Sequence, residues 1–391
     1  MKNEDTVEIP KIKRVLRSIR LIVVIFSILL ALVLILTNTQ NINIDNFRRI
    51  FAKIDFGINS SGNGGDGYIY FSGSDSAFAP FKGGLAVCST ENVKVFDEKG
   101  NLFSNISSAK SKPVVISSPK HILSYDLNGK VLTVSNSFAT LFEKSFTNNI
   151  YSADISQNGG FCVVTSEEGY KAKVTVFGNN YKEKYSVYSS EKYVIDAALS
   201  PDGKILALAC VFPEGVVLNS VIDFYKIGEK SAFSQISLEC GTVFDIHYKD
   251  NGSLLALGDK GATYINKKAS SKAEISFEGR YLTSYEHSLE NTVCILSQDM
   301  SRNANHVLII NDKGKVSLNC DTEYKIIDAA VCQNVIAIYT GDRLIFIDES
   351  GNDKIKIKKT IIINETYDKI FASKNNVFLI AGEYAKIENF S

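Results

Sequence analysis

Tryptophan is absent from this chain, and proline appears only 6 times and methionine twice in 391 residues. So little proline excludes collagen-like and polyproline architecture, and 45% hydrophobic residues exclude a chain disordered throughout. An excess of either charge is missing too: 43 Lys and Arg balance 43 Asp and Glu. Nucleic acid is bound through a basic excess or a clustered basic stripe, so no nucleic-acid partner is expected. The 7 cysteines form no C-x-x-C pair and no Cys/His grouping at metal-ligand spacing. Cys88, Cys162, Cys210 and Cys294 sit inside apolar runs and read as buried thiols acting as small hydrophobes. Nucleophile-elbow, zinc-protease and phosphate-loop motifs are missing, as is a glycine fingerprint opening a helix. No catalytic residue, metal or cofactor is therefore assigned. The four histidines (His121, His247, His287 and His306) are isolated along the chain, and a structural or surface role is the expectation for each.

What the chain does have is one long apolar run near its start. Residues 21–37 carry no charge, and only Ser27 and Thr37 are polar. Seventeen residues at about 1.5 Å each approach the lower limit for crossing a ~30 Å hydrocarbon core. The run exceeds the usual signal-peptide core and ends in Thr37-Asn-Thr-Gln-Asn41, without a small-residue cleavage site. It reads as an uncleaved anchor in the lipid bilayer. Lys2, Lys11, Lys13, Arg14, Arg17 and Arg20 precede it, while Arg48, Arg49 and Lys53 follow. The bias places residues 1–20 in the cytoplasm as a short basic tail and the rest outside it, a single-pass cell-membrane topology. Residues 38–66 then combine an amphipathic pattern (Ile44, Phe47, Ile50, Phe51, Ile54) with a Gly/Ser/Asn linker.

From residue 67 to 391 the sequence reads as strands and turns. Tyr151-Ser-Ala-Asp-Ile-Ser-Gln-Asn-Gly-Gly160 aligns with Ile195-Asp-Ala-Ala-Leu-Ser-Pro-Asp-Gly-Lys204 at an offset of 44, and Phe244-Asp-Ile-His-Tyr-Lys-Asp-Asn-Gly252 is a third copy. Each strand runs into an Asn-Gly or Asp-Gly turn and then an apolar run. Such runs begin near Leu85, Ile122, Phe161, Ile205, Leu254, Val293, Val335 and Val377, and a period close to 40 residues indicates a propeller. The fold class is all-β: a β-propeller of about eight four-stranded blades, seven being the alternative count. The last unit holds only three strands, and Tyr68-Ile-Tyr-Phe71 is a strand without a unit, so the first strand is expected to complete the last blade and close the ring.

Ala198-Leu-Ser-Pro-Asp-Gly-Lys-Ile-Leu-Ala207 resembles the turn of WD-type and TolB-type repeats, although the WD dipeptide is absent. The tail and span, together with Phe78-Ala-Pro-Phe-Lys-Gly-Gly-Leu-Ala86, Gly169-Tyr-Lys-Ala-Lys-Val-Thr-Val-Phe177 and Tyr193-Val-Ile-Asp-Ala-Ala-Leu-Ser200, resemble an uncharacterised family of clostridial single-pass membrane proteins. That resemblance implies an extracytoplasmic propeller and brings no catalytic residues with it.

Function is sought in the loops, because a rigid scaffold commonly binds through them. The connection between second and third strands is long at 166–172, 211–219 and 298–305. Tyr170 in the first, Phe212 and Pro213 in the second and Arg302 in the third are the candidate binding residues. The expected role is a binding or scaffold module for a protein or cell-envelope polymer. The alternative is a glycan-active hydrolase or lyase at the central channel, which calls for carboxylates or histidines gathered there.

Overall fold

The computed structural model describes residues 25–26, 67–71, 75–299, 304–333, 335–348 and 354–390. The tail, the apolar run except residues 25–26, and the segment 38–66 lie outside the described residues. Among the described residues no helix is long and apolar enough to cross a membrane. The chain divides into two units, of which the second, Ser61–Ser391, carries the strands.

Eight four-stranded antiparallel sheets make up that unit. Their first strands are Ala77–Phe81, Pro113–Ser117, Ile150–Ile155, Tyr193–Leu199, Val243–Tyr248, Tyr281–His287, Asp328–Cys332 and Lys369–Ser373. First strands of successive blades touch one another, so they form the inner ring around a central channel. Second strands are almost wholly buried: Gly84–Cys88, Leu254–Gly258 and Asn291–Ser297 are buried at every position. Fourth strands such as Leu102–Ser107 are mostly exposed, as befits the rim. The continuous apolar runs of the second strands follow from neighbouring blades covering both of their faces.

Eight hydrophobic clusters hold the ring, one at each blade interface. The seam between blades 8 and 1 is closed by Tyr68–Tyr70, which pairs with Tyr384–Asn389 as the outer strand of the last blade. Ile69 and Phe71 enter the seam cluster with Leu85, Val87, Phe96 and Phe378. The expected eight blades and the strand exchange are both present.

The repeat motif forms the turn between first and second strands. In three successive blades a glycine N–H donates to the carbonyl three residues back: Gly159 to Ser156 (3.0 Å), Gly203 to Ser200 (2.7 Å) and Gly252 to Lys249 (2.9 Å). Each glycine has positive φ (86°, 68° and 81°), which explains the recurring Gly of the pattern. All 7 cysteines are free thiols, five of them buried.

Because successive strands are antiparallel, the turns after first and third strands share one face of the ring, the turn face. The hairpins between second and third strands open on the other, the hairpin face, together with the connections between blades.

Candidate functional site

The long connections of the hairpin face are extended β-hairpins rather than irregular loops. In blade 4, Ile205–Glu214 and Val217–Lys226 pair from Ile205–Lys226 to Glu214–Val217, leaving Gly215 and Val216 to turn the chain. Gly215 has φ 63°. Val216 is fully exposed, and Val217 and Leu218 are 57% and 46% exposed. Phe212 is half-buried and packs on the cluster between blades 3 and 4, while Pro213 is exposed. Strand alternation turns Phe212 inward, so the exposed apolar surface lies at the tip beyond it.

In blade 3 the hairpin of Phe161–Glu167 and Tyr170–Phe177 places Tyr170 at its tip, 46% exposed. Its ring lies 5.0 Å from that of Tyr188 on the neighbouring fourth strand. Lys171 Nζ donates to Tyr193 Oη at 3.0 Å and lies 4.6 Å from the centre of that ring, while Lys173 Nζ is 5.1 Å from the Tyr188 ring. Tyr188 and Tyr193 were not singled out from the sequence; each is 47% exposed. Arg302 lies outside the described residues.

A second site emerges inside the channel. The inner strands of blades 3 to 7 each carry an acid: Asp154, Asp196, Asp245, Glu286 and Asp328. Several of these acids stitch neighbouring blades. Ser152 Oγ donates to Asp196 Oδ1 at 2.5 Å, and the Ile246 N–H donates to Asp196 Oδ2 at 3.1 Å, so one carboxylate joins blades 3, 4 and 5. Asp328 repeats the arrangement, accepting from Ser284 Oγ of blade 6 and from the Ile370 N–H of blade 8 at 2.9 Å. Asp154 accepts the Leu199 N–H at 3.3 Å.

Asp245 instead ends a polar relay across blades 5 and 6. Lys249 Nζ donates to Thr292 Oγ1 (2.7 Å) and to the Ser288 carbonyl (2.9 Å). Thr292 Oγ1 lies 2.8 Å from His287 Nδ1, and His287 Nε2 lies 2.8 Å from Asp245 Oδ2. His247 stacks on His287 with centroids 4.8 Å apart and planes 3° from parallel.

Burial dominates the acidities. It raises Asp154 to about 7 with help from Asp196, and Asp196 to about 7 with help from Asp245. Burial and the charges of Asp328 and Asp245 raise Glu286 to about 8, and burial raises Asp245 and Asp328 as well. Lys249 is pushed down to about 7 by burial. Burial also holds His287 well below 6.5, and His247 likewise with a contribution from His287. Among the described residues no three His, Cys, Asp or Glu side chains come together as a metal site.

A model for a family of unknown function, DUF5711, matches residues 69–388. The chain belongs to that family. No curated protein matches it. Solved structures that resemble it share the fold at low identity. The C-terminal WD40 domain of Sif2 is 13% identical with a TM-score of 0.57, covering 83% of this chain and 99% of that one. BamB from Moraxella catarrhalis is 13% identical with a TM-score of 0.53 over 83% of this chain and 98% of that one. Chaetomium thermophilum Sqt1 bound to the N-terminus of ribosomal protein L10 is 11% identical with a TM-score of 0.55 over 82% and 99%. For this DUF5711 member those likenesses describe the propeller.

Proposed function

We propose that this DUF5711 member is a membrane-anchored, extracytoplasmic interaction module. In this reading residues 21–37 sit in the bilayer, residues 1–20 face the cytoplasm, and the propeller presents blades 3 and 4 of its hairpin face to a protein partner. The observation that carries it is the exposed apolar tip Val216, Val217 and Leu218, beside the exposed rings of Tyr170, Tyr188 and Tyr193. Contiguous exposed apolar residues flanked by tyrosine have the composition of an interface core. The aliphatic tip favours a protein pocket over a polar polysaccharide. Sqt1 bound to the L10 N-terminus is a propeller of similar fold holding a protein segment, which supports the reading.

The test is crosslinking and pull-down from native membranes with wild type and with Val217→Asp/Leu218→Asp. Loss of the same protein from the variant is the expected outcome. Identical partners in both would overturn the reading, and retention of an envelope polymer without any protein would reassign the face. Impermeant labelling of single cysteines introduced on either side of 21–37 tests the topology; modification of the tail from outside would refute it.

The channel acids favour a second reading, a glycan-active hydrolase or lyase. Glu286, raised to about 8, forms no stitch between blades among the described residues and is the acid that reading would use. Release of sugar fragments from envelope glycan by wild type, lost in a folded Glu286→Gln variant, is its expected result; no product from wild type rejects it.

A further inference from the structure

On the turn face the channel opens into a cavity of about 490 Å³ lined by residues from all eight blades, a volume typical of small-molecule sites. Its lining is polarised around the ring. On blades 1 and 8 it carries Lys82 and Lys374, and a Cβ built on Gly83 would lie 2.8 Å from Lys374 Cδ, so the Lys374 chain crosses the turn that holds Lys82. Across the channel, blades 3, 5 and 6 supply Asp154, His247, Tyr248 and His287. Asp154 and His247 lie two residues inward from the turn residues Ser156 and Lys249, so this half of the lining is deeper than the lysine rim.

Two atoms on the deeper half are buried without a hydrogen-bond partner: Nε2 of His247 and Oη of Tyr248. Both atoms are sealed from solvent, so they lie behind the cavity wall, and these residues line the cavity through their other atoms. His287 cannot pair with His247, since Asp245 and Thr292 hold both of its nitrogens. Burial and the neighbouring His287 keep His247 neutral, so it adds no charge to this half of the lining. Apolar side chains such as Ile116, Leu199 and Leu289 make up much of the rest of the lining.

A purely anionic ligand would meet Asp154, with Asp196 behind it; a purely cationic one would meet Lys82 and Lys374. We propose that this cavity binds a small zwitterion, an amino acid or a short peptide with an apolar side chain. Its carboxylate lies at Lys82 and Lys374, and its ammonium faces Asp154. This site is on the face opposite the hairpins and stands independently of the protein-binding reading.

The test uses the full chain in detergent micelles with [13C]histidine, since four histidines give four resolvable ring signals. L-Leucine and Leu-Leu are titrated separately, with leucinamide and N-acetyl-leucine as analogues that each keep one charge. Saturable movement of the His247 and His287 signals by a zwitterion is expected, with the His306 signal, bonded to Asp321 and Asn319 away from the cavity, unmoved. Leucine against Leu-Leu separates a free amino acid from a peptide as the source. Lys82→Gln/Lys374→Gln is expected to weaken binding at least about tenfold while the His306 signal stays native. Several results would overturn the proposal: no movement of His247 by either zwitterion at about 10 mM, equal movement by a one-charge analogue, or unchanged affinity in the lysine variant.

Discussion

Replacing Glu286 with Gln should make the propeller less sensitive to alkaline pH. Glu286 sits on the inner strand of blade 6, where burial and the carboxyls of Asp328 and Asp245 raise it from 4.5 to about 8. A carboxyl raised on folding binds its proton more tightly in the native state. Its contribution is therefore fully present below about 4.5 and is lost as the pH rises through about 8. Carried in full, that displacement would cost the ionised form about 5 kcal/mol. Glu286 is only half-buried, so about 2 kcal/mol is the expected share. For a domain of this size that corresponds to about 4 °C in Tm.

The assay is calorimetry of wild type and Glu286→Gln at pH 5 and pH 8.5. Asp154 and Asp196 act with the same sign as Glu286. His247 and His287, held well below 6.5, act oppositely and withdraw stability as the pH falls below 6.5. Lys249, lowered to about 7, adds stability as the pH climbs from 7 toward 10.5. All five groups remain in both proteins, so the difference between the two pH dependences isolates Glu286. Parallel pH dependences, or a Glu286 carboxyl titrating near 4.5 by NMR, would refute the reasoning.

The closing strand should be sensitive at Ile69 and tolerant at Tyr70. Ile69 is 1% exposed in the seam, so Ile69→Ala should cost about 3 kcal/mol by denaturant midpoint, whereas Tyr70, 56% exposed, should tolerate Ala within about 1 kcal/mol. Gly203→Ala should destabilise by about 1–2 kcal/mol, because φ is 68° and the new Cβ would fall 2.3 Å from Asn158 Nδ2; Gly169→Ala, where nothing lies within 4 Å, should cost less. Thr292→Val removes the hydroxyl between Lys249 and His287 and should cost about 1–3 kcal/mol, with faster hydrogen exchange in blades 5 and 6 as the local readout. The hairpin-tip pair Val217→Asp/Leu218→Asp should leave Tm within about 2 °C, since both side chains are exposed.

The architecture was legible because it is written in short-range pattern. Asp-Gly and Asn-Gly turns, apolar second strands and a period near 40 residues mark each blade locally. Tyr68-Ile-Tyr-Phe71 was recognisable as the closing strand because it had no unit of its own. The channel chemistry was not legible in the same way. His247 and His287 look isolated at 40 residues apart, yet that distance is about one blade, which puts them on adjacent inner strands. Ser152 with Asp196, and Ser284 with Asp328, are each 44 apart and form the same inter-blade bond. Reading polar residues at the blade period would have exposed both. The facing of Phe212 was not legible for a different reason. An apolar run suggests an exposed patch, but which members face outward depends on hairpin length, and the strands extend as far as Glu214 and Val217.

The stitches are unevenly distributed around the ring, and their distribution divides the channel. Acids bridge blades 3 through 8, where each interface joins segments that follow one another directly in the chain. The seam between blades 8 and 1 is held otherwise, by the exchanged strand, its apolar cluster and Asn376 Nδ2 donating to the Glu98 carbonyl at 2.7 Å. Blades 1 and 2 are joined by Ser117 Oγ donating to the Pro80 carbonyl at 2.6 Å, so the acid bridges are confined to the arc from blade 3 to blade 8. The seam half of the turn-face mouth is thereby left free of channel acids and carries Lys82 and Lys374 instead. Acids carried by the inner strands of blades 3 to 7, opposite the lysines of blades 8 and 1, give the cavity opposite polarity on its two sides.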